Sequence, residues 1–223
     1  RKPYTASGRS DRWTNSNEIA GTRGTTNFPN TGGPPPPTVV GLLVLDDVWR
    51  YKDTPADPGA DWAASAHPVG GEWKSGAGGI GFESGATIPL GTALDHPNAN
   101  PTYVLTYHYE REFDLSGAQL LGLESLKLRH GFDDGAVVYL NGAEVLRVNM
   151  PAGVVDANTL ALRGVEVDEL SGDTTLPTGS LVSGSNRISV EVHQESFGSS
   201  DTLFGLELDA EIAGVAPGSA PVL

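Results

Sequence analysis

From Thr38 to Ile212 the dominant pattern is alternation of apolar and polar positions with a period of two. Residues 39–45 form a compact apolar run, Asp46-Asp47 breaks it, and Val48-Trp49-Arg50-Tyr51 resumes it. In residues 103–113 Tyr103, Leu105, Tyr107 and Tyr109 share one side; Ile188, Val190 and Val192 alternate with Ser189, Glu191 and His193. Leu206, Leu208, Ala210 and Ile212 alternate with Glu207, Asp209 and Glu211. Such runs predict half-buried strands. The clearest local signal is Asn141-Gly142 between residues 136–140 and 143–149, because both central residues of a type I′ hairpin turn need positive φ. Leu126 and Leu128, alternating with Lys127 and Arg129, predict a third strand, with Asp133-Asp134-Gly135 as the turn of a three-stranded meander.

Between these runs the chain is rich in turns, with 29 Gly and 16 Pro. Residues 52–91 read as a long loop carrying Trp62, Trp73 and Phe82, and residues 151–186 hold only short apolar pieces at 160–167 and 181–182. Residues 76–81 match G-x-G-x-x-G, but a dinucleotide site needs a strand before it and a helix after it, and neither is readable. About eight strands without crossover helices predict an all-β fold, an antiparallel β-sandwich or jelly roll, over residues 38–213. Residues 1–37 have few apolar anchors and end in four prolines, which favour an extended arm or spacer. Residues 214–223 read as a C-terminal linker, and a chain that starts at Arg1 reads as a processed product.

The net charge is −14. That argues against nucleic acid as a partner, since phosphates require a basic footprint. The charge is uneven: residues 1–40 carry +3 and the remainder −17. A basic arm ahead of an acidic body is either chance with a gain in solubility, or an arm that docks on an acidic surface, its own or a neighbour's. There is no cysteine, hence no disulfide framework, and no apolar run long enough for membrane insertion.

Three groups are candidates for chemistry. Asp133 and Asp134 can donate to a structural calcium, with Asn141, Asn149, Asp201 and Glu207 as further oxygen donors; the other reading is a turn whose carboxylates cap backbone N–H groups. His193, Gln194, Ser199, Ser200 and Asp201 form the most polar cluster beside a strand. They suit a hydrogen-bond network, glycan recognition, or a hydrolytic site around His193 and Asp201, although no nucleophile elbow accompanies them. Trp62 and Trp73, in loops, are either core residues or plates for a sugar ring, whereas Trp49 reads as core. His67, His96, His108 and His130 lack metal-like spacing and read as structural.

Two resemblances add to this. Residues 13–27, closing on Gly21-Thr22-Arg23-Gly24-Thr25-Thr26-Asn27, resemble the end of a lamin-tail-type domain. Residues 42–212 resemble the galactose-binding-domain-like β-sandwich modules of large secreted bacterial proteins, of the kind found beside lamin-tail domains and metallophosphoesterases. The pieces that carry it are Val48-Trp49-Arg50-Tyr51, the 106–113 strand, the 133–151 stretch and residues 186–201. The resemblance implies a jelly roll, an extracellular setting and an accessory role. The expected function is a non-catalytic module that binds carbohydrate or another cell-surface component. The alternative is a subunit of a self-assembling filament or lattice, joined through residues 1–37.

Overall fold

The computed structural model describes residues 35–83, 85, 87–96, 103–167 and 169–214. The arm expected at 1–37 and the linker expected at 214–223 lie almost wholly outside these residues. In chain order the elements are β1 (Thr38–Leu43), β2 (Val48–Lys52), β3 (Trp73–Ala77), β4 (Ile80–Phe82), β5 (Thr92–Ala93) and β6 (Thr106–Leu115). There follow α1 (Gly117–Leu121), β7 (Leu123–Asp133), β8 (Gly135–Leu140), β9 (Ala143–Val148), β10 (Thr174–Leu176), β11 (Gly184–His193) and β12 (Thr202–Ile212). The short helix is fixed by a capping box, in which Gln119 N donates to Ser116 Oγ and Ser116 N donates to Gln119 Oε1.

Two sheets form a β-sandwich. The first has the order β10-β7-β12-β4-β5, and the second β3-β2-β6-β11-β8-β9. All pairings are antiparallel except β4 with β5. One edge of β12 pairs with β7 along nearly its whole length, while β4 takes residues 202–204 and β1 residues 208–212 of the other edge. The inner faces meet in one core. Tyr109 of β6 stacks on Phe204 of β12 at 4.0 Å between ring centroids, and Trp49 of β2 meets the same ring edge-on at 4.8 Å. Trp49, Tyr109, Leu128, Val138, Val190 and Leu208 are all fully buried.

The Asn141-Gly142 hairpin is present, with φ of 50° and 82°. The expected meander is not. β7 pairs with β12 and β8 with β11, so residues 133–135 carry the chain from one sheet to the other. Alternation looks the same in a hairpin and in a crossing, so local pattern could not separate them. The glycine-rich stretch at 76–81 is likewise a crossing, between β3 and β4. No strand forms at 160–167; β10 lies later, where its three residues pair with Leu126, Lys127 and Leu128. No described helix is long and apolar enough to cross a membrane.

Candidate functional site

The outward face of the second sheet is built by alternation. The residues between the core positions are Arg50 and Lys52 on β2, Thr106, His108 and Glu110 on β6, Ser189, Glu191 and His193 on β11, and Val137 and Tyr139 on β8. On an open sheet such residues meet water. Here two connections fold over them. From residues 53–72, Trp62 packs edge-on against His108 at 4.7 Å, and Ser189 Oγ donates to the Ala63 carbonyl at 3.0 Å. From residues 149–162, the Ala157 carbonyl accepts from Thr106 Oγ1 at 3.0 Å, and the Thr159 carbonyl lies 2.8 Å from His193 Nδ1. A charged face is thereby buried: Glu110 and His193 are 0 % exposed, Lys52 1 %, His108 2 % and Glu191 3 %.

One half of this face is an ion-pair network centred on Glu110. Its Oε1 accepts from Arg50 Nε at 2.7 Å and from the His67 backbone N–H at 3.0 Å. Its Oε2 lies 2.7 Å from His67 Nδ1 and 3.3 Å from Arg187 Nη1. His67 in turn stacks on Trp73 at 4.3 Å. Every group there has a charged or aromatic partner, which marks the network as the clamp holding residues 53–72 on the sheet.

The other half is a pocket of about 390 Å³, lined by Trp62, His108, Tyr139, Glu191 and the loop segments around Asp57–Asp61 and 154–157. Ligand pockets begin at about this size. Tyr139 Oη donates to Glu191 Oε1 at 2.6 Å. Burial and this bond to a carboxylate hold the phenol well above its ordinary pKa, so it stays a donor. Glu191 Oε2 is 3.5 Å from His193 Nε2 and 4.0 Å from His108 Nε2. Burial, with the charges of His193, Lys52 and His67 acting the same way, pushes His108 down to about 3, so it is neutral in ordinary buffers. His108 Nδ1 and His193 Nε2 are buried with no hydrogen-bond partner among the described residues. The site therefore combines an oriented carboxylate, a neutral imidazole and two aromatic walls on a rigid sheet.

No protein-family model matches the chain, and no curated protein matches it. Among solved structures it is similar to the β-glucuronidase of Ruminococcus gnavus in complex with D-glucuronic acid, at 16 % identity and a TM-score of 0.44, over 79 % of this chain and 30 % of the enzyme. It is also similar to a β-D-mannosidase from Dictyoglomus thermophilum, at 15 % identity and a TM-score of 0.35, over 70 % and 16 %. The chain spans less than a third of the length of these enzymes, and likeness at this level carries neither a residue nor an activity across.

The residues singled out in the sequence go to different places. Trp62 lines the pocket and is 8 % exposed; Trp73 is equally buried, under His67. Of the two readings, core residue or open plate, both rings follow the first: the loop carrying Trp62 folds back onto the sheet, and Trp73 opens β3 within it. His193 stands beside Glu191, whereas Asp201 lies elsewhere, its carboxylate oxygen within 4.8 Å of those of Glu83 and Asp133. Gln194 is fully buried and its side-chain amide has no partner among the described residues. Ser199 accepts from Tyr103 Oη through its backbone carbonyl at 2.8 Å. Glu191, His108 and Tyr139 were missed as site residues, since each reads as one more alternating strand position.

Asp133 and Asp134 are neighbours with different parts. Asp134 accepts from Val165 N at 2.8 Å and Glu195 N at 2.7 Å, the backbone-capping role open to a turn aspartate. Asn149 Nδ2 donates to the carbonyls of Asp134 and Arg163, and Asn141 Nδ2 to those of Ser180 and the Asn186 side chain, while Glu207 pairs with Arg129. Burial pushes the Asp133 carboxyl up to about 9, helped by its bond to Asp134 and by the charges of Asp134, Asp201 and Glu166. An unfolded aspartate titrates near ~3.9. The folded protein keeps a proton that the unfolded chain has lost, so stability falls as pH rises from about 4 to about 9, by at most ~1.4 kcal/mol per pH unit. In chelator, Asp133→Asn is expected to flatten that slope and raise the melting temperature at pH 8; an unchanged slope contradicts it. Calcium, if it bound the cluster, would instead raise the melting temperature of the wild type alone.

A wider and more open depression of about 940 Å³ lies beside β7 and the end of β9, lined by His130, Phe132, Asp134, Asn149, Arg163 and Glu166 among others.

Proposed function

We propose that the chain is a non-catalytic carbohydrate-binding β-sandwich module whose ligand sits in the pocket over β6, β8 and β11. The observation that carries this reading is Glu191, a carboxylate 3 % exposed, oriented by Tyr139 and lining a cavity that Trp62 walls. A fixed carboxylate accepts from sugar hydroxyls, and aromatic walls suit the C–H faces of a sugar ring. Glycoside hydrolysis uses two carboxylates at a set separation across the bond. In this pocket Glu191 is the buried carboxylate, and Asp57, Asp61 and Asp156 are exposed on its rim, which favours binding over cleavage.

The test is a glycan array followed by calorimetry on the hits. Binding is expected at micromolar to millimolar concentration, and Tyr139→Phe is expected to weaken it about tenfold, the effect of one hydrogen bond to a charged group. Binding that Tyr139→Phe leaves unchanged would move the ligand to another surface.

A further inference from the structure

We propose that the pocket selects a ligand bearing an ammonium group, of the kind an amino sugar with a free amine presents; this rests on the carbohydrate reading above. Four carboxylates line the cavity, those of Asp57, Asp61, Asp156 and Glu191, and among the described residues no lysine or arginine does. The one ammonium nearby belongs to Lys52, cross-strand from His108, and it is engaged: Nζ donates to the Thr54 carbonyl and hydroxyl and lies 3.3 Å from Glu72 Oε2. The arginines of the same face are engaged as well: Arg50 by Glu110, Arg187 by Glu110 and Glu112, and Arg147, opposite Val137, by Glu144. Glu191 is the exception on this face. Its contacts are a phenol and two imidazoles; the Arg147 guanidinium feels its charge but makes its own contacts with Glu144 and the Pro151 carbonyl.

A buried carboxylate without a full cationic partner is costly, and a ligand cation offsets that cost where a neutral hydroxyl does so only in part. The walls point the same way. Trp62 and Tyr139 pack edge to face at 5.9 Å, and aromatic rings beside a carboxylate are a common setting for an ammonium. His108 contributes an Nδ1 with no hydrogen-bond partner among the described residues, and being neutral it does not repel a cation. Asp57 and Asp61 add negative potential at the mouth, which raises the encounter rate for a cation and falls with salt.

Calorimetric titration of the full chain with glucosamine, N-acetylglucosamine, glucose and choline separates the possibilities. Glucosamine is expected to bind at least tenfold more tightly than glucose and N-acetylglucosamine, with the preference shrinking at high salt. Glu191→Gln should remove the preference, its fold being checked by thermal unfolding. Asp61→Asn, at an exposed position, should reduce it a few-fold without risk to the fold. Equal binding of the three sugars overturns the ammonium proposal and leaves the carbohydrate reading standing. Choline binding without any sugar binding supports the ammonium and overturns the carbohydrate. No binding by any of the four overturns both.

Discussion

Replacing Glu110 by alanine is expected to remove about 3–5 kcal/mol of stability, the cost of stranding the partners of a buried ion pair. Glu110 is fully enclosed and is the common partner of Arg50, Arg187 and both donors of His67. Without it two guanidinium groups face each other across β6 with one exposed carboxylate, Glu112, left between them and solvent. The loss has a second consequence. His67 ties residues 53–72 to the sheet, and those residues carry Trp62 over the pocket. Urea unfolding should show the lower midpoint, and limited proteolysis should cut first within 53–72. A loss under about 1 kcal/mol would mean the network is solvated and the clamp is elsewhere.

Gly79→Ala is expected to cost at least about 2 kcal/mol, combining left-handed strain with overpacking. At Gly79, φ is +68° and an added Cβ would sit 2.0 Å from the Pro89 carbonyl oxygen. The obstacle is backbone, so no rotamer change relieves it. Its neighbours are as tight: a Cβ on Gly78 would lie 2.0 Å from the Leu45 carbonyl oxygen, and one on Gly81 2.3 Å from that of Thr202. The control is Gly153→Ala, with φ of +97° and nothing within 4 Å, where strain alone should cost about 1–2 kcal/mol. Thermal or urea unfolding of the pair checks the contrast, and equal losses would contradict it. The run that mimics a dinucleotide fingerprint is thus explained by packing, at the point where β3 hands the chain to β4.

Strand positions were legible because a half-buried sheet writes its period into the sequence. On β11, Ile188, Val190 and Val192 point into the core as their alternation requires. What alternation cannot state is what lies on the other side. Ser189, Glu191 and His193 read as the water-facing set, yet all three are buried, because connections distant in sequence cover them. A signal for that cover was present in Trp62: a large apolar ring in a polar stretch needs a surface to pack on. Sheet assignment was illegible for a related reason. Whether a turn closes a hairpin or changes sheet depends on the next partner strand, and for β7 and β8 those partners, β12 and β11, lie far along the chain.

The most direct test of the pocket is a ¹H–¹⁵N correlation titration of the full chain with glucosamine and glucose. Binding at the pocket is expected to shift the Trp62 indole N–H and the backbone amides of His108, Tyr139 and Glu191. Shifts confined to the depression around His130, Arg163 and Glu166, or no shifts at all, would contradict the assignment of that pocket as the ligand site.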